Sequence, residues 1–152
     1  MMNFQVWPGI DTYTGVYCTF AFGAFIEEKA DETTLEQLVG AIALNDVVPF
    51  RREEYTRILN DDAEKYGYIT YFLTHPDTKY RGQGIGSNLY RKVLAEYKKR
   101  FKRNKYGLFL DVGQRKLEQK KMYEHLGLRK VGEFGYGESD VDDVYAITWN
   151  TS

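Results

Sequence analysis

Cysteine is nearly missing from this 152-residue chain, which carries Cys18 alone. That excludes an intrachain disulfide and any multi-cysteine metal cluster, and it fits a reducing cytoplasm. Cys18 lies in an apolar run with no helper group beside it, so it reads as buried filler and not as a nucleophile. Long apolar runs are missing as well: the longest, residues 16–26, falls far short of a membrane span, and no basic segment precedes it. Nor does one sign of charge prevail, with 21 Lys plus Arg against 22 Asp plus Glu. That balance exerts no global pull toward nucleic acid. The expectation is a soluble cytoplasmic protein with no metal, membrane or nucleic-acid partner. With no internal repeat and no linker, residues 1–152 are expected to form one domain.

Against that background the stretch Tyr80-Arg81-Gly82-Gln83-Gly84-Ile85-Gly86-Ser87 stands out. The run from Tyr66 to His75 is rich in aromatic and β-branched residues and predicts a strand, which Pro76 stops because it cannot donate a ladder hydrogen bond. Ile85, Leu89, Val93 and Tyr97 recur at helical spacing, so a helix begins soon after Gly84. A glycine-rich turn feeding a helix N-terminus presents backbone N–H groups at the positive end of the helix dipole, which suits an anion. Glycines 82, 84 and 86 carry no Cβ to keep a phosphate away, and Arg81 adds a fork of charged donors. A P-loop would need Lys-Ser/Thr after its last glycine, yet Ser87 and Asn88 follow Gly86; a dinucleotide fingerprint would need a third glycine where Ser87 stands.

The remaining pattern, Arg81-Gly82-Gln83-Gly84-Ile85-Gly86, resembles the acetyl-CoA signature of the GNAT N-acetyltransferase superfamily. His75-Pro76-Asp77 resembles that family's strand end, and Met122-Tyr123-Glu124-His125-Leu126-Gly127-Leu128 resembles its later tyrosine segment. The resemblance implies an α/β (α+β) fold with a mixed, mostly antiparallel central sheet flanked by helices. It also implies an acetyl-CoA cosubstrate held by Arg81, Gly82, Gln83, Gly84, Ile85, Gly86 and Ser87. Main-chain groups of Leu73 and Thr74 would bind the thioester carbonyl, and Tyr123 would act as general acid toward the thiolate. Three features depart from the family. The segment between Pro76 and Arg81 is about two residues longer than usual, Lys116 stands where an asparagine is expected, and no carboxylate occupies the strand from Tyr66 to His75.

Asn3 to Trp7 predicts a short strand ending in a Pro8-Gly9 turn, residues 16–26 a second strand, and Asp11 to Gly15 the hairpin between them. Residues 27–60 suggest two helices. The first is capped by Thr33 or Thr34 and carries Leu35, Leu38, Val39 and Ile42; the second, after Pro49, carries Tyr55, Ile58 and Leu59. That makes the N-terminal half atypical of the family, which opens with a strand and two helices. Beyond the loop, a helix to about Arg103, a buried strand from Tyr106 to Val112, a helix over 114–126 and a closing hairpin of 131–134 with 144–149 complete the series. The basic end of the first of these helices, Lys98 to Lys105, complements the negative end of the dipole.

Acetyl transfer needs a polarised carbonyl, a base for the amine and an acid for the thiolate. A phenol of pKa about 10 can serve as that acid. For the base, His75 has a suitable intrinsic pKa but also suits a strand-end cap; Tyr71 or a water chain are alternatives. Lys116 either reaches a coenzyme phosphate or is a solvated helix lysine. The acidic residues Glu138, Asp140, Asp142 and Asp143 favour a cationic acceptor, a small-molecule amine or a protein or peptide amine, and equally suit a solvated turn. The resemblance allows a homodimer. The leading expectation is therefore an acetyl-CoA-dependent N-acetyltransferase working by direct attack in a ternary complex. The rival is a non-catalytic acyl-CoA sensor or protein-interaction module on the same fold, and a nucleotide-binding module ranks third.

Overall fold

The protein is described from a computed structural model covering residues 2–10, 17–101, 104–135, 137 and 140–149. It is a mixed α/β structure whose seven-stranded, mostly antiparallel sheet has the strand order β1-β2-β3-β4-β5-β7-β6. The strands are β1 Met2–Ile10, β2 Tyr17–Ala30, β3 Thr33–Asn45, β4 Tyr66–Thr74, β5 Gly107–Gly113, β6 Arg129–Gly135 and β7 Val141–Thr148. The helices are α1 Arg52–Leu59, α2 Ile85–Arg100 and α3 Leu117–His125. The chain divides into two compact units, Met1–Leu44 with Thr70–Glu96 and Asn45–Ile69 with Tyr97–Ser152.

The first unit corrects two expectations. Pro8-Gly9 is no turn: β1 runs through it to Ile10, pairing with β2 from Met2↔Ile26 to Ile10↔Tyr17 with a register shift between Pro8 and Ile10. As the first strand in the order, β1 has one free edge, where a proline without N–H is tolerated. The hairpin expected at Asp11 to Gly15 falls in residues 11–16, outside the described ones. The second correction is larger. Thr33 or Thr34 caps no helix; residues 33–45 form β3, antiparallel to β2 from Phe20↔Leu44 to Ala30↔Thr33. Leu35, Leu38, Val39 and Ile42 do match a helical spacing, but a run as short as this fits either element until a pairing partner decides. Residues 39–45 are buried without alternation, as in a strand covered on both faces, while 33–37 are exposed. Asp31 closes the two-residue turn at φ 58, a left-handed conformation that aspartate tolerates.

Within this unit Cys18 is fully buried with Ala21 and Ala43, against Trp7 and Tyr71. The Trp7 ring lies over Gly23, where an added Cβ would come within 2.2 Å of it. At Gly40 such a Cβ would approach Ile85 Cγ2 and Leu89 Cδ1 to 2.8 Å, so this glycine lets the start of α2 press onto β3.

The second unit follows the expected series closely. The helix after Pro49 is α1, bracketed by Arg51 at φ 49 and Asn60 at φ 53. A 3₁₀ turn, Ala63–Lys65, leads into β4, its N–H of Glu64 donating to the Asp62 carboxylate at 3.0 Å. β4 and β5 pair in parallel over Tyr66↔Gly107, Gly67↔Leu108 and Tyr68↔Phe109; β7 pairs antiparallel with both β5 and β6. The core gathers Val48, Tyr55, Tyr66, Tyr68, Phe109, Phe134 and Val144, with Tyr55 stacked on Phe134 at 4.7 Å and 15°. Lys105 is also buried, its ammonium donating to the main-chain oxygens of Asp46, at 2.7 Å, and of Glu64. Desolvation holds that amine below its ordinary pKa.

Gly67 is the tightest point of the packing between β4 and the end of α2, since a Cβ there would meet Leu108 Cδ2 at 2.8 Å and the Tyr97 ring at 2.9 Å. Gly67→Ala is accordingly expected to destabilise the protein by about 1–3 kcal/mol, the usual cost of overpacking, read as a lower urea midpoint with unchanged m.

Candidate functional site

The glycine loop lies wholly in the first unit. β4 ends at Thr74, and the N–H of His75 donates to Val39 O at 2.8 Å. The N–H of Asp77 donates to His75 Nδ1 at 3.1 Å, and the imidazole lies edge-on to Tyr80 at 4.9 Å. The extra residues before the motif form a 3₁₀ turn, Thr78–Tyr80, capped by the Asp77 carboxylate accepting from Lys79 N at 3.0 Å. Tyr80 donates its hydroxyl to Glu28 of the β2 ribbon at 2.9 Å. Lys79 pairs with the same carboxylate at 3.4 Å, and both partners hold Glu28 below its ordinary pKa. The lengthened segment is thus an anchored turn.

Gly82 and Gly84 then take φ 75 and 70, left-handed values that favour glycine. The carbonyl of Gly84 accepts the first helical bond from Asn88 N at 2.9 Å, so the N–H groups of Ile85, Gly86 and Ser87 have no acceptor within the helix. A Cβ built at Gly82 would meet nothing within 4 Å, and one at Gly84 only Asn88 Nδ2 at 3.4 Å. Arg81, Gly82, Gln83 and Gly84 are exposed, while Ile85 and Gly86 are buried. At the end of β4, a small, mostly apolar cavity of about 170 Å³ is lined by Leu38, Val39, Gly40, Ala41, Leu73, Thr74 and His75. The structure therefore brings Leu73, Thr74, His75 and the Arg81 to Ser87 turn into one unit.

Lys116 and Tyr123 lie in the second unit. Lys116 caps α3 without a side-chain hydrogen bond, exposed, on the turn where its N–H donates to Gly113 O at 3.0 Å. That turn and the start of β7 border an open groove of about 660 Å³, with Arg115 and Lys116 on one side and Asp140 and Asp142 on the other. Tyr123 is 5% exposed, its ring 6.2 Å from Tyr145, and burial pushes its phenol up to about 12. Of the acidic residues expected to attract a cation, Glu138 is outside the described residues.

Asp143 has a structural partner set. It is 2% exposed and pairs with Lys120, and with Lys130 at 3.3 Å, while Gln114 donates to it at 3.2 Å. Burial works to raise its pKa, but these donors outweigh it and leave the carboxyl below its ordinary range. A depressed carboxylate stabilises the fold above its unfolded pKa of about 4 and loses that contribution as pH falls through the folded value. Between pH about 7 and about 3 the wild type is expected to lose more stability than Asp143→Asn, measured by urea melts at each pH.

One chemically loaded residue escaped the sequence reading. Asp111, in β5, accepts hydrogen bonds through Oδ2 from the hydroxyls of Tyr55, at 2.5 Å, and Tyr68, at 2.9 Å. The signal was available: Asp111 is the one charged residue among the apolar Leu108, Phe109, Leu110 and Val112.

Fold and loop together describe an acetyltransferase-like α/β protein, and the comparisons agree. The family model described as acetyltransferase (GNAT) family matches residues 7–128. The chain belongs to that family. Among solved structures, Arabidopsis thaliana NAA60 in complex with a bisubstrate analogue aligns with a TM-score of 0.66 at 15% identity, over 99% of this chain and 100% of that one. A second NAA60 structure contains acetyl-CoA. PH1933 from Pyrococcus horikoshii OT3 gives 0.56 at 23% identity over 86% of this chain, and a Bacillus anthracis structure in complex with acetyl coenzyme A gives 0.58 at 18% over 86%. This chain spans less than two thirds of those two, 65% and 62%. No curated protein sequence matches it. No helix is long and apolar enough to cross a membrane, and no group of three or more potential metal ligands occurs among the described residues.

Proposed function

We propose that this protein is a single-domain N-acetyltransferase that moves an acetyl group from acetyl-CoA to a primary amine by direct attack in a ternary complex. The observation that carries the reading is the turn at Gly82 and Gly84. Two left-handed glycines lead into α2, three helix N–H groups lack an internal acceptor, and open space stands where Cβ atoms would be. Such a cradle suits a pyrophosphate, with Arg81 as a charged donor beside it. The apolar cavity beside Leu73 and Thr74 suits an acyl chain, with their main chain serving the thioester carbonyl. Gln83, Ile85, Gly86 and Ser87 complete the cradle.

Tyr123 is the acid for the departing thiolate, since its raised pKa keeps the phenol protonated at neutral pH. Lys116 is free of a capping bond and suits a coenzyme phosphate. His75, proposed from sequence as the base, has its Nδ1 lone pair engaged by the Asp77 N–H, which favours the cap. Asp140 and Asp142 favour a cationic acceptor, a small-molecule or peptide amine, whereas Asp143 is already neutralised by Lys120 and Lys130. A homodimer and a cytoplasmic location complete the proposal. Thiol release from acetyl-CoA is measured against a panel of polyamines, aminoglycosides and peptides. Amine-dependent release is the expected result; coenzyme binding with no release for any amine returns the protein to the sensor reading.

A further inference from the structure

We infer that Glu28 is a positioning residue for the coenzyme: from β2 it holds the turn that precedes the glycine loop, so that Arg81 and the loop N–H groups are set for the pyrophosphate before acetyl-CoA arrives. The inference rests on the acetyl-CoA reading above, and every group in it belongs to the first unit. Residues 27–37, the ends of β2 and β3 with the turn between them, are all exposed, and Glu28 stands two residues past Ile26, the partner of Met2 in β1. A carboxylate on an exposed ribbon is solvated and needs no protein partner, yet this one takes two from a single turn. Tyr80 donates its hydroxyl to Glu28 Oε1 at 2.9 Å, and the Lys79 ammonium approaches the same oxygen at 3.4 Å. The lysine alone contributes little, because both members of that ion pair are exposed. Tyr80 differs: its ring is 7% exposed, so the bond to Glu28 fixes a packed side chain that has little freedom left to lose.

The turn is tied to the β2–β3 ribbon at both ends. At its start the His75 N–H reaches Val39 O of β3, and at its end Glu28 of β2 draws in Tyr80. Between them the main chain closes on itself: Tyr80 N donates to Asp77 O and Arg81 N to Thr78 O, both at 3.1 Å, and Gln83 Nε2 reaches Lys79 O at 3.0 Å. Arg81 follows Tyr80 directly and Gly82 follows at φ 75, so the place of Tyr80 sets where the arginine and the first glycine begin. Two glycines behind a lengthened segment would otherwise sample many conformations, and ordering them on binding would weaken the affinity. The strut meets that cost when the protein folds. Glu28 cannot hold a pyrophosphate itself, since both are anions. It acts through Tyr80, while the Lys79 ammonium offsets its charge beside a loop suited to an anion.

The test uses the full chain, with acetyl-CoA affinity by calorimetry and transfer to an amine taken from the active panel. Glu28→Ala is expected to weaken acetyl-CoA binding about tenfold and to raise KM alike, with kcat within about twofold of wild type. With S-acetylpantetheine, a donor that lacks the pyrophosphate, kcat/KM is expected to stay within about twofold, a selectivity that general loss of packing does not produce. Glu28→Gln keeps an acceptor for Tyr80 and is expected to lose about threefold or less. Tyr80→Phe keeps the ring, covers the case in which Glu28→Ala fails to fold, and is expected to match it; the double variant is expected to be no worse than either single one, as for two ends of one bond. Acetyl-CoA affinity within about twofold of wild type in both single variants overturns the strut while leaving coenzyme binding standing. An equal loss with acetyl-CoA and S-acetylpantetheine overturns it as well. A wild type that binds no acetyl-CoA overturns both readings.

Discussion

Gly84→Glu is expected to weaken acetyl-CoA binding at least 100-fold, by isothermal calorimetry, in a protein that still melts cooperatively. Two effects combine. At φ 70 a residue with a Cβ carries a strain of about 1–2 kcal/mol, and the new carboxylate enters the proposed pyrophosphate cradle, where it would compete with the coenzyme for the helix dipole and Arg81. An anion already in place repels another. The fold tolerates the change because Gly84 is exposed and its Cβ would meet only Asn88 Nδ2. Gly82→Ala separates the causes. At φ 75 with no protein atom within 4 Å, an alanine brings strain and a methyl group but no charge. A loss of about tenfold or less there, against at least 100-fold at Gly84, assigns the difference to electrostatics. Equal binding by wild type and Gly84→Glu would remove the pyrophosphate from this loop.

The conformation of the loop was legible in sequence because each of its determinants is local. Glycines at 82 and 84 announce left-handed turns, and the 3.6-residue period from Ile85 announces the helix that follows. The strand–helix–strand series through β4, α2 and β5 was legible for the same reason. The β2–β3 hairpin was not, since Leu35, Leu38, Val39 and Ile42 satisfy a helical stripe. What decides their state is the ladder to residues 20–30, a non-local pairing that no window over 33–45 contains. Asp111 was missed for a related reason. Its hydrogen-bond donors come from residues 56 and 43 positions away, and only the folded chain brings Tyr55 and Tyr68 to one carboxylate oxygen. The opening also differs from the family expectation of a strand followed by two helices. Only residues 11–16 lie between β1 and β2, too few for two helices, and the helix α1 follows β3 instead.

Tyr123→Phe is expected to lower kcat about 100-fold while leaving KM for acetyl-CoA within about threefold, since a general acid acts in the transition state and not in coenzyme binding. The substitution removes one oxygen from a side chain 5% exposed and keeps the ring against Tyr145, so the fold is preserved. The phenol's position at about 12 sharpens the argument. Against a thiolate of about 8.5 in water, proton transfer from such a phenol is uphill by roughly 5 kcal/mol, at 1.36 kcal/mol for each unit. The burial that raises the phenol raises a thiol beside it in the same direction, because both penalties fall on an anion. On the proposed acid role the mismatch therefore narrows where the leaving group forms, and transfer is expected to accompany C–S cleavage instead of following it. A solvent isotope effect on kcat is the corresponding readout: it is expected in wild type and reduced in Tyr123→Phe. With the phenol protonated far above neutrality, the rate is also expected to show no fall attributable to Tyr123 up to about pH 10. A Tyr123→Phe enzyme with wild-type kcat and isotope effect would leave the thiolate to solvent and reduce Tyr123 to a core residue of α3.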